Sequence, residues 1–236
     1  MEISETIRAE ALRRGITRLC HFTPSRNLAH IANDDIGVLS TKKLKQAERA
    51  LFNPTDLKRF DRHEDHVCCS IQYPNAWYFD RAQANEPLFR DWVVLFIAPE
   101  YLWRKGTLFC QRNASACFGA GVRGGDEAFR SMFARCTQGA YGRKFTRAAG
   151  HLDSCPTDQQ AEVLIPDAVP HRAIIGVVVK DRAQAQNETA RLRIAKAKRQ
   201  SFKFVIAPTL FDKRELDKCI TAGTLPAEII WKPGTR

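Results

Sequence analysis

Three short stretches, far apart in the chain, carry the residue types that could do chemistry. The first is Cys20-His21-Phe22-Thr23-Pro24-Ser25-Arg26-Asn27-Leu28, where an apolar run meets a helix start. Thr23 suits a cap and Pro24 a first turn. A helix N-terminus offers unpaired N–H groups and a positive dipole, which suit a diphosphate or a ribose-bearing ligand. Read alone, His21 is a core histidine and Thr23 only a cap. The second stretch runs from Arg59-Phe60-Asp61 through Val67-Cys68-Cys69-Ser70-Ile71-Gln72 to Tyr73-Pro74-Asn75-Ala76-Trp77-Tyr78-Phe79. Its aromatics can stack on a planar ring or fill a core, the second being the ordinary use of Trp77 and Phe79. The third is Thr157-Asp158-Gln159-Gln160-Ala161-Glu162-Val163-Leu164-Ile165. If a strand covers it, Gln160 and Glu162, two apart, share a face. A long loop precedes it, residues 137–158, carrying Arg143, Lys144 and Arg147, and loops of such length in compact domains are often functional. The plain alternative is an edge strand with exposed polar residues.

The elements that must hold these stretches can be sketched from periodicity. Helices are expected over 2–14, from Pro24 to about 33, over 183–200 and over 212–221. Strands are expected over 16–22, 67–72, 92–98, 107–111, 161–165, 174–179 and 202–207. Residues 41–66 read as polar and mixed, with a turn at Asn53-Pro54, and residues 119–125 as loop. Strands and helices mix without a regular βαβ period, which argues α+β. Neither G-x-G-x-x-G nor a Walker lysine motif occurs.

Composition bounds the partners. Of 236 residues 44% are hydrophobic and 27% charged, and the formal net charge is +11, which favours polyanions. Between Arg182 and Lys203, Arg182, Arg191, Arg193, Lys196, Lys198, Arg199 and Lys203 face the single acid Glu188. No strong apolar face accompanies them, so nucleic acid is the better partner than a membrane surface. No apolar run of eighteen residues occurs, and the N-terminus lacks an apolar signal core, so a cytoplasmic protein is expected. The eight cysteines form no C-x-x-C pair and sit mostly in apolar runs, as reduced buried thiols do. His63-Glu64-Asp65-His66 looks metal-like but lacks further clustered ligands, so a solvated turn is expected and no metal.

Taken together, His-x-Thr with Asn-Leu downstream, a Ser-bearing middle strand, and Gln-x-Glu after a long loop resemble the ADP-ribosyltransferase superfamily. The closer resemblance is to the DarT family, nucleic-acid ADP-ribosyltransferase toxins paired with macrodomain antitoxins. It rests on His21–Leu28, Arg59–Phe79, Asn113-Ala114 and Pro156–Leu164, the last being the most specific. It departs at Tyr73-Pro74-Asn75-Ala76-Trp77, where better-known members carry a Pro-Arg-Ser-Pro-Met-like turn.

The resemblance implies an α+β fold with a split β-sheet core and flanking helices. It implies one domain over 1–236, with a basic C-terminal extension (about 181–236) packed on it. It implies NAD as substrate and transfer of ADP-ribose to a base of single-stranded DNA or RNA, in a toxin–antitoxin or phage-defence setting with an antitoxin partner. Glu162 and Arg59 (preferred over Arg62) would be catalytic. His21, Thr23, Asn27, Ser70 and Tyr73 would hold NAD, and Arg143, Lys144, Arg147 and Gln160 the nucleic acid. The rival readings are a protein-modifying transferase, a basic nucleic-acid-binding module without activity, and a nuclease.

Overall fold

The computed structural model describes residues 3–33, 37–46, 59–86, 88–139, 142–198 and 202–234. The first half holds α1 (Glu5–Arg13), β1 (Leu19–Pro24), α2 (Leu28–Asn33), β2 (Val38–Leu39), α3 (Thr41–Gln46), β3 (His66–Ile71), α4 (Ala76–Ala84), β4 (Trp92–Ile97) and β5 (Leu108–Cys110). The second holds β6 (Arg123–Gly124), α5 (Asp126–Ser131), β7 (Cys136–Gln138), β8 (Lys144–Thr146), β9 (Glu162–Pro166), β10 (Ala168–Val169), β11 (Ile174–Val179), α6 (Arg182–Ile194), β12 (Phe204–Ile206), α7 (Lys213–Ala222) and β13 (Ile229–Ile230).

Nine strands form the central sheet in the order β13-β12-β11-β4-β1-β3-β9-β5-β6. Among the described residues only β11 and β12 pair in parallel, joined by the crossover helix α6; the other pairs are antiparallel, as suits an α+β chain without a regular βαβ period. Period-two alternation sorts the side chains onto two faces. Leu19, Val93, Leu95 and Ile97 enter one core with Ile7, Leu28 and Leu192. Cys20, Trp92, Val94 and Phe96 enter the other with Phe79, Leu210 and Leu216. Helices thus cover both faces, and every residue of β4 is buried.

The sheet is split between β1 and β3. These strands pair only at Leu19↔Ile71 and Cys20↔Ser70. Beyond that, β1 continues along β4 as far as Pro24↔Trp92, while β3 continues along β9 from Cys69↔Val163 to His66↔Pro166. Past Cys20, β1 has a neighbour on one side only, so a proline, which cannot donate, is tolerated at Pro24.

Some expectations change. The helix expected from Pro24 begins later, since Pro24 ends β1 and Ser25–Asn27 form a 3-10 turn before α2. Residues 76–84, read as an aromatic cluster beside a turn, form α4, capped by Asn75, whose side chain accepts from the Tyr78 amide. The loop 137–158 contains the end of the hairpin β7–β8. The segment from 181 onward is continuous with the domain, because β12 and β13 extend the sheet itself. The helix expected over 183–200 stops at Ile194, with Ala195 as its C-cap and Lys196 in a left-handed conformation (φ 49°). The turn expected at Asn53-Pro54 lies outside the described residues. All eight cysteines are free. Among the described residues no helix is long and apolar enough to cross a membrane.

Candidate active site in the split of the sheet

Where β1 and β3 diverge, a cavity opens, about 1250 Å³ of empty space with the open solvent at its mouth included. His21, Thr23 and Asn27 line one wall, Arg59, Cys68 and Ser70 the other, with Asn113 and Glu162 beyond. His21 is the first residue of β1 past the paired segment. Its Nδ1 lies 2.8 Å from the Cys68 carbonyl oxygen. A carbonyl only accepts, so Nδ1 carries the proton and, in the neutral ring, Nε2 is the acceptor. Burial first, and the Arg59 charge in addition, hold the imidazole below its ordinary pKa, against the Cys68 bond, which favours the charged form. Nε2 has no hydrogen-bond partner among the described residues and sits in the cavity wall.

The corner after β1 supplies a second feature. Asn27 Nδ2 donates to Thr23 Oγ1 at 2.9 Å, so a buried hydroxyl and an amide form one polar unit in the wall. The floor is apolar: Phe22 stacks on Phe79 at 4.5 Å, and Tyr78 packs at 6.0 Å from Phe22. Ser70 Oγ accepts from the Asn75 amide at 3.1 Å and so fixes the start of α4. Asn75 is 3% exposed, and its side-chain Nδ2 is a buried donor without an acceptor among the described residues.

Glu162 opens β9 beside Cys110 of β5, and Asn113 Nδ2 donates to its Oε1 at 3.0 Å. The thiols around it stay neutral. Burial first and the Glu162 charge second push Cys68 far up, and Cys110, helped by burial most, is pushed up to about 11.

Arg59 lines the cavity as expected, but its guanidinium is fully engaged. Nε and Nη2 grip the Asp61 carboxylate at 2.9 and 2.7 Å, Nη1 reaches Thr41 Oγ1 and the His66 carbonyl, and Nη2 also reaches the His63 carbonyl. A guanidinium has five N–H donors, and each has an acceptor here. Arg59 therefore contributes a positive field and a folded loop, with no donor to spare. His63, Asp65 and His66 bring one ligand atom each within 4.8 Å of one another. His66 Nδ1 is 2.7 Å from Asp65 and Nε2 3.3 Å from the Gly106 carbonyl, so both ring nitrogens are taken by protein oxygens.

Three expected site residues lie elsewhere. Tyr73 does not line the cavity; it is buried among Cys20, Phe79 and Phe96 with the Arg18 guanidinium 5.1 Å from its ring. Gln160 precedes the strand, in a turn where its amide donates to Asp158 Oδ1 at 2.9 Å, so it does not share a strand face with Glu162. Arg147 bonds the carbonyls of Cys155 and Leu152 at 2.8 and 2.7 Å and staples its own loop. Arg143 and Lys144, by contrast, are exposed on the hairpin. Phe22, Asn75, Tyr78 and Asn113 were missed as site residues. The Asn75 cap was the available signal, since it starts the helix that brings Tyr78 to the floor.

The family model "ssDNA thymidine ADP-ribosyltransferase, DarT" matches residues 20–212. No curated protein matches the chain in sequence. Among solved structures, Thermus sp. 2.9 DarT in complex with ADP-ribosylated ssDNA is similar at TM-score 0.54 and 14% identity, over 84% of this chain and 97% of that one. The same protein in complex with NAD+ gives 0.51 and 14%, over 83% and 97%. Thermosipho africanus DarTG in complex with ADP-ribose gives 0.55 and 13%, over 83% of this chain but only 51% of that one, so the chain spans about half of its length. The split sheet, the cavity at its open end and the match over residues 20–212 lead to one conclusion: the chain belongs to the DarT family of ssDNA thymidine ADP-ribosyltransferases.

Proposed function

We propose that the cavity binds NAD and that the chain transfers its ADP-ribose to thymidine in single-stranded DNA. The observation that carries this reading is the gathering of a carboxylate (Glu162), an imidazole acceptor (His21 Nε2) and a polar corner (Thr23 with Asn27) around one cavity. The walls fit the substrate. His21 Nε2 can accept from a ribose hydroxyl, the aromatic floor of Phe22 and Tyr78 suits a flat nicotinamide, and the orphaned Asn75 Nδ2 suits a carboxamide oxygen.

The chemistry assigns the roles. The bond from the ribose anomeric carbon to nicotinamide nitrogen breaks, its electron pair leaves with nicotinamide, and the sugar becomes cation-like. A fixed carboxylate stabilises that cation. The thymine ring has its N1 bonded to deoxyribose, so N3 attacks and must lose its proton. Glu162, oriented by Asn113, receives it. Arg59, saturated by Asp61 and three backbone or hydroxyl acceptors, is a positioning residue that keeps the β3 wall closed; its charge adds to the burial that holds the His21 imidazole below its ordinary pKa. The exposed Arg143 and Lys144 contact phosphates, and the base must be unpaired to enter.

The share of Thermosipho africanus DarTG that the chain covers supports a setting in which this chain is the toxin half of a toxin–antitoxin pair. The deciding experiment is mass spectrometry of nucleosides after incubation with NAD and mixed single-stranded DNA and RNA. ADP-ribosylated thymidine is expected; label on protein alone, or none, overturns the reading.

A further inference from the structure

We infer that Phe118, backed by Arg62, is a stacking platform for the nucleobase adjacent to the modified thymidine. This rests on the function proposed above.

Phe118 sits in the turn Ala116–Gly119, three residues after Ser115 of the cavity wall, and is 61% exposed. A phenylalanine left this open to water gains little from burial. It is nevertheless held in place at a backbone cost. Cys117 (φ 53°, ψ 38°) and Phe118 (φ 53°, ψ 43°) are both left-handed, a conformation that side chains with a Cβ adopt rarely, and Gly119 follows at φ 81°. Strain of this kind persists where surrounding contacts over-determine it, and it clusters at ligand sites.

Those contacts come from the cavity. A Cβ added at Gly119 would meet the Asp61 carbonyl oxygen at 2.2 Å, so the turn is pressed against the residue that grips Arg59. Asn113, which orients Glu162, also caps the turn by accepting from the Ser115 amide at 3.0 Å. Arg112 reaches Cys117 Sγ at 3.7 Å and the Gly139 carbonyl at 3.1 Å, tying the turn to the hairpin that carries Arg143 and Lys144. The Arg62 guanidinium lies 5.4 Å from the Phe118 ring centroid, and the Phe60 ring meets it edge-on at 6.3 Å. An exposed aromatic ring with a guanidinium over one face, between a reaction site and a basic hairpin, suits a nucleobase stacked on its other face and the phosphate beside that base. The net charge of +11 selects the polyanion over an acidic-poor protein surface as its occupant.

The test uses full-length chain, NAD and single-stranded oligonucleotides holding one thymidine, with an intact or an abasic nucleotide on either side. Phe118→Ala is expected to raise the KM for the intact oligonucleotide roughly tenfold. The KM for NAD and kcat should stay within about twofold, and Phe118→Tyr should restore the wild-type KM. An abasic nucleotide on one particular side should erase the difference between wild type and Phe118→Ala. Anisotropy of labelled oligonucleotide binding gives the same comparison without turnover. If wild type transfers nothing to DNA, the proposed function falls, and the binding ratio still decides the platform. Equal affinities for wild type and Phe118→Ala, a ratio unchanged by abasic sites on both sides, or rescue by Phe118→Leu as complete as by Tyr would overturn it.

Discussion

At its closed end the seam between β1 and β3 is saturated. Arg18 donates to the Gln72 carbonyl at 2.8 Å and to Glu228 at 2.8 Å, and its guanidinium lies 3.8 Å from the Phe96 ring centroid. Gln72 in turn accepts from the Thr17 amide at 3.0 Å. Three residues on from Arg18, at the open end, His21 spends one nitrogen on Cys68 and keeps the other for the cavity. Arg18, just before β1, therefore supplies a lock, and His21 within the strand supplies a site. The lesson is that polar side chains here do their chemistry where strands part, because backbone pairing no longer claims the space.

Four experiments bear on that contrast. The largest effect is expected at Glu162. Glu162→Gln should lower transfer at least about a hundredfold with an unchanged melting temperature, since a preorganised charge is lost at a half-buried strand end. Near-normal turnover would place the reaction elsewhere. Next is Arg18→Ala at the closed end. It should cost about 2–3 kcal/mol of stability in urea titrations, through the broken ion pair and the lost ring contact, and leave NAD affinity alone. Lost NAD binding at full stability would show that the two ends are not separate.

Third, His21→Gln should weaken NAD binding roughly tenfold by calorimetry, in keeping with a lost hydrogen bond in a buried wall. The pH dependence carries a sign. The folded imidazole has a lowered pKa, so below about 6.5 the unfolded chain binds a proton that the folded chain resists. Stability should therefore rise with pH through the window between the lowered value and about 6.5, and be complete above it. His21→Gln should lack that increment; identical pH profiles for both proteins would remove His21 from the buried wall. The smallest effect concerns the hairpin. Neutralising Arg143 and Lys144 should flatten the slope of log affinity against log salt by up to about 1.4, at roughly 0.7 per contact. Arg147→Gln should lower stability and leave the slope unchanged.

The chemistry-bearing stretches were readable because their signals are local. Val67–Gln72, Trp92–Ala98 and Ile174–Val179 are apolar runs of strand length, and each is a strand within a residue or two. What failed depended on which partner claims each side chain in the fold. Arg59, Arg147 and Arg191 look like any other arginine in sequence, yet Asp61, the Cys155 carbonyl, and Glu188 with Asp91 claim them. Tyr73 and Tyr78 differ by five positions, and only the α4 cap decides that the second meets the cavity. Gln160 was aligned with Glu162 by strand logic, but Asp158 turns the chain first. The split itself has no sequence signature, since it consists of pairing that stops.

The bond from Arg18 to Glu228 joins residues 210 apart. Closing so long a span costs chain entropy before it returns any contact, so it belongs to the late steps of folding. A chain leaving the ribosome N-terminus first exposes Arg18 long before Glu228 exists. The seam beside the cavity therefore gains this fastening only once the segment carrying Glu228 has been made, 210 residues after Arg18.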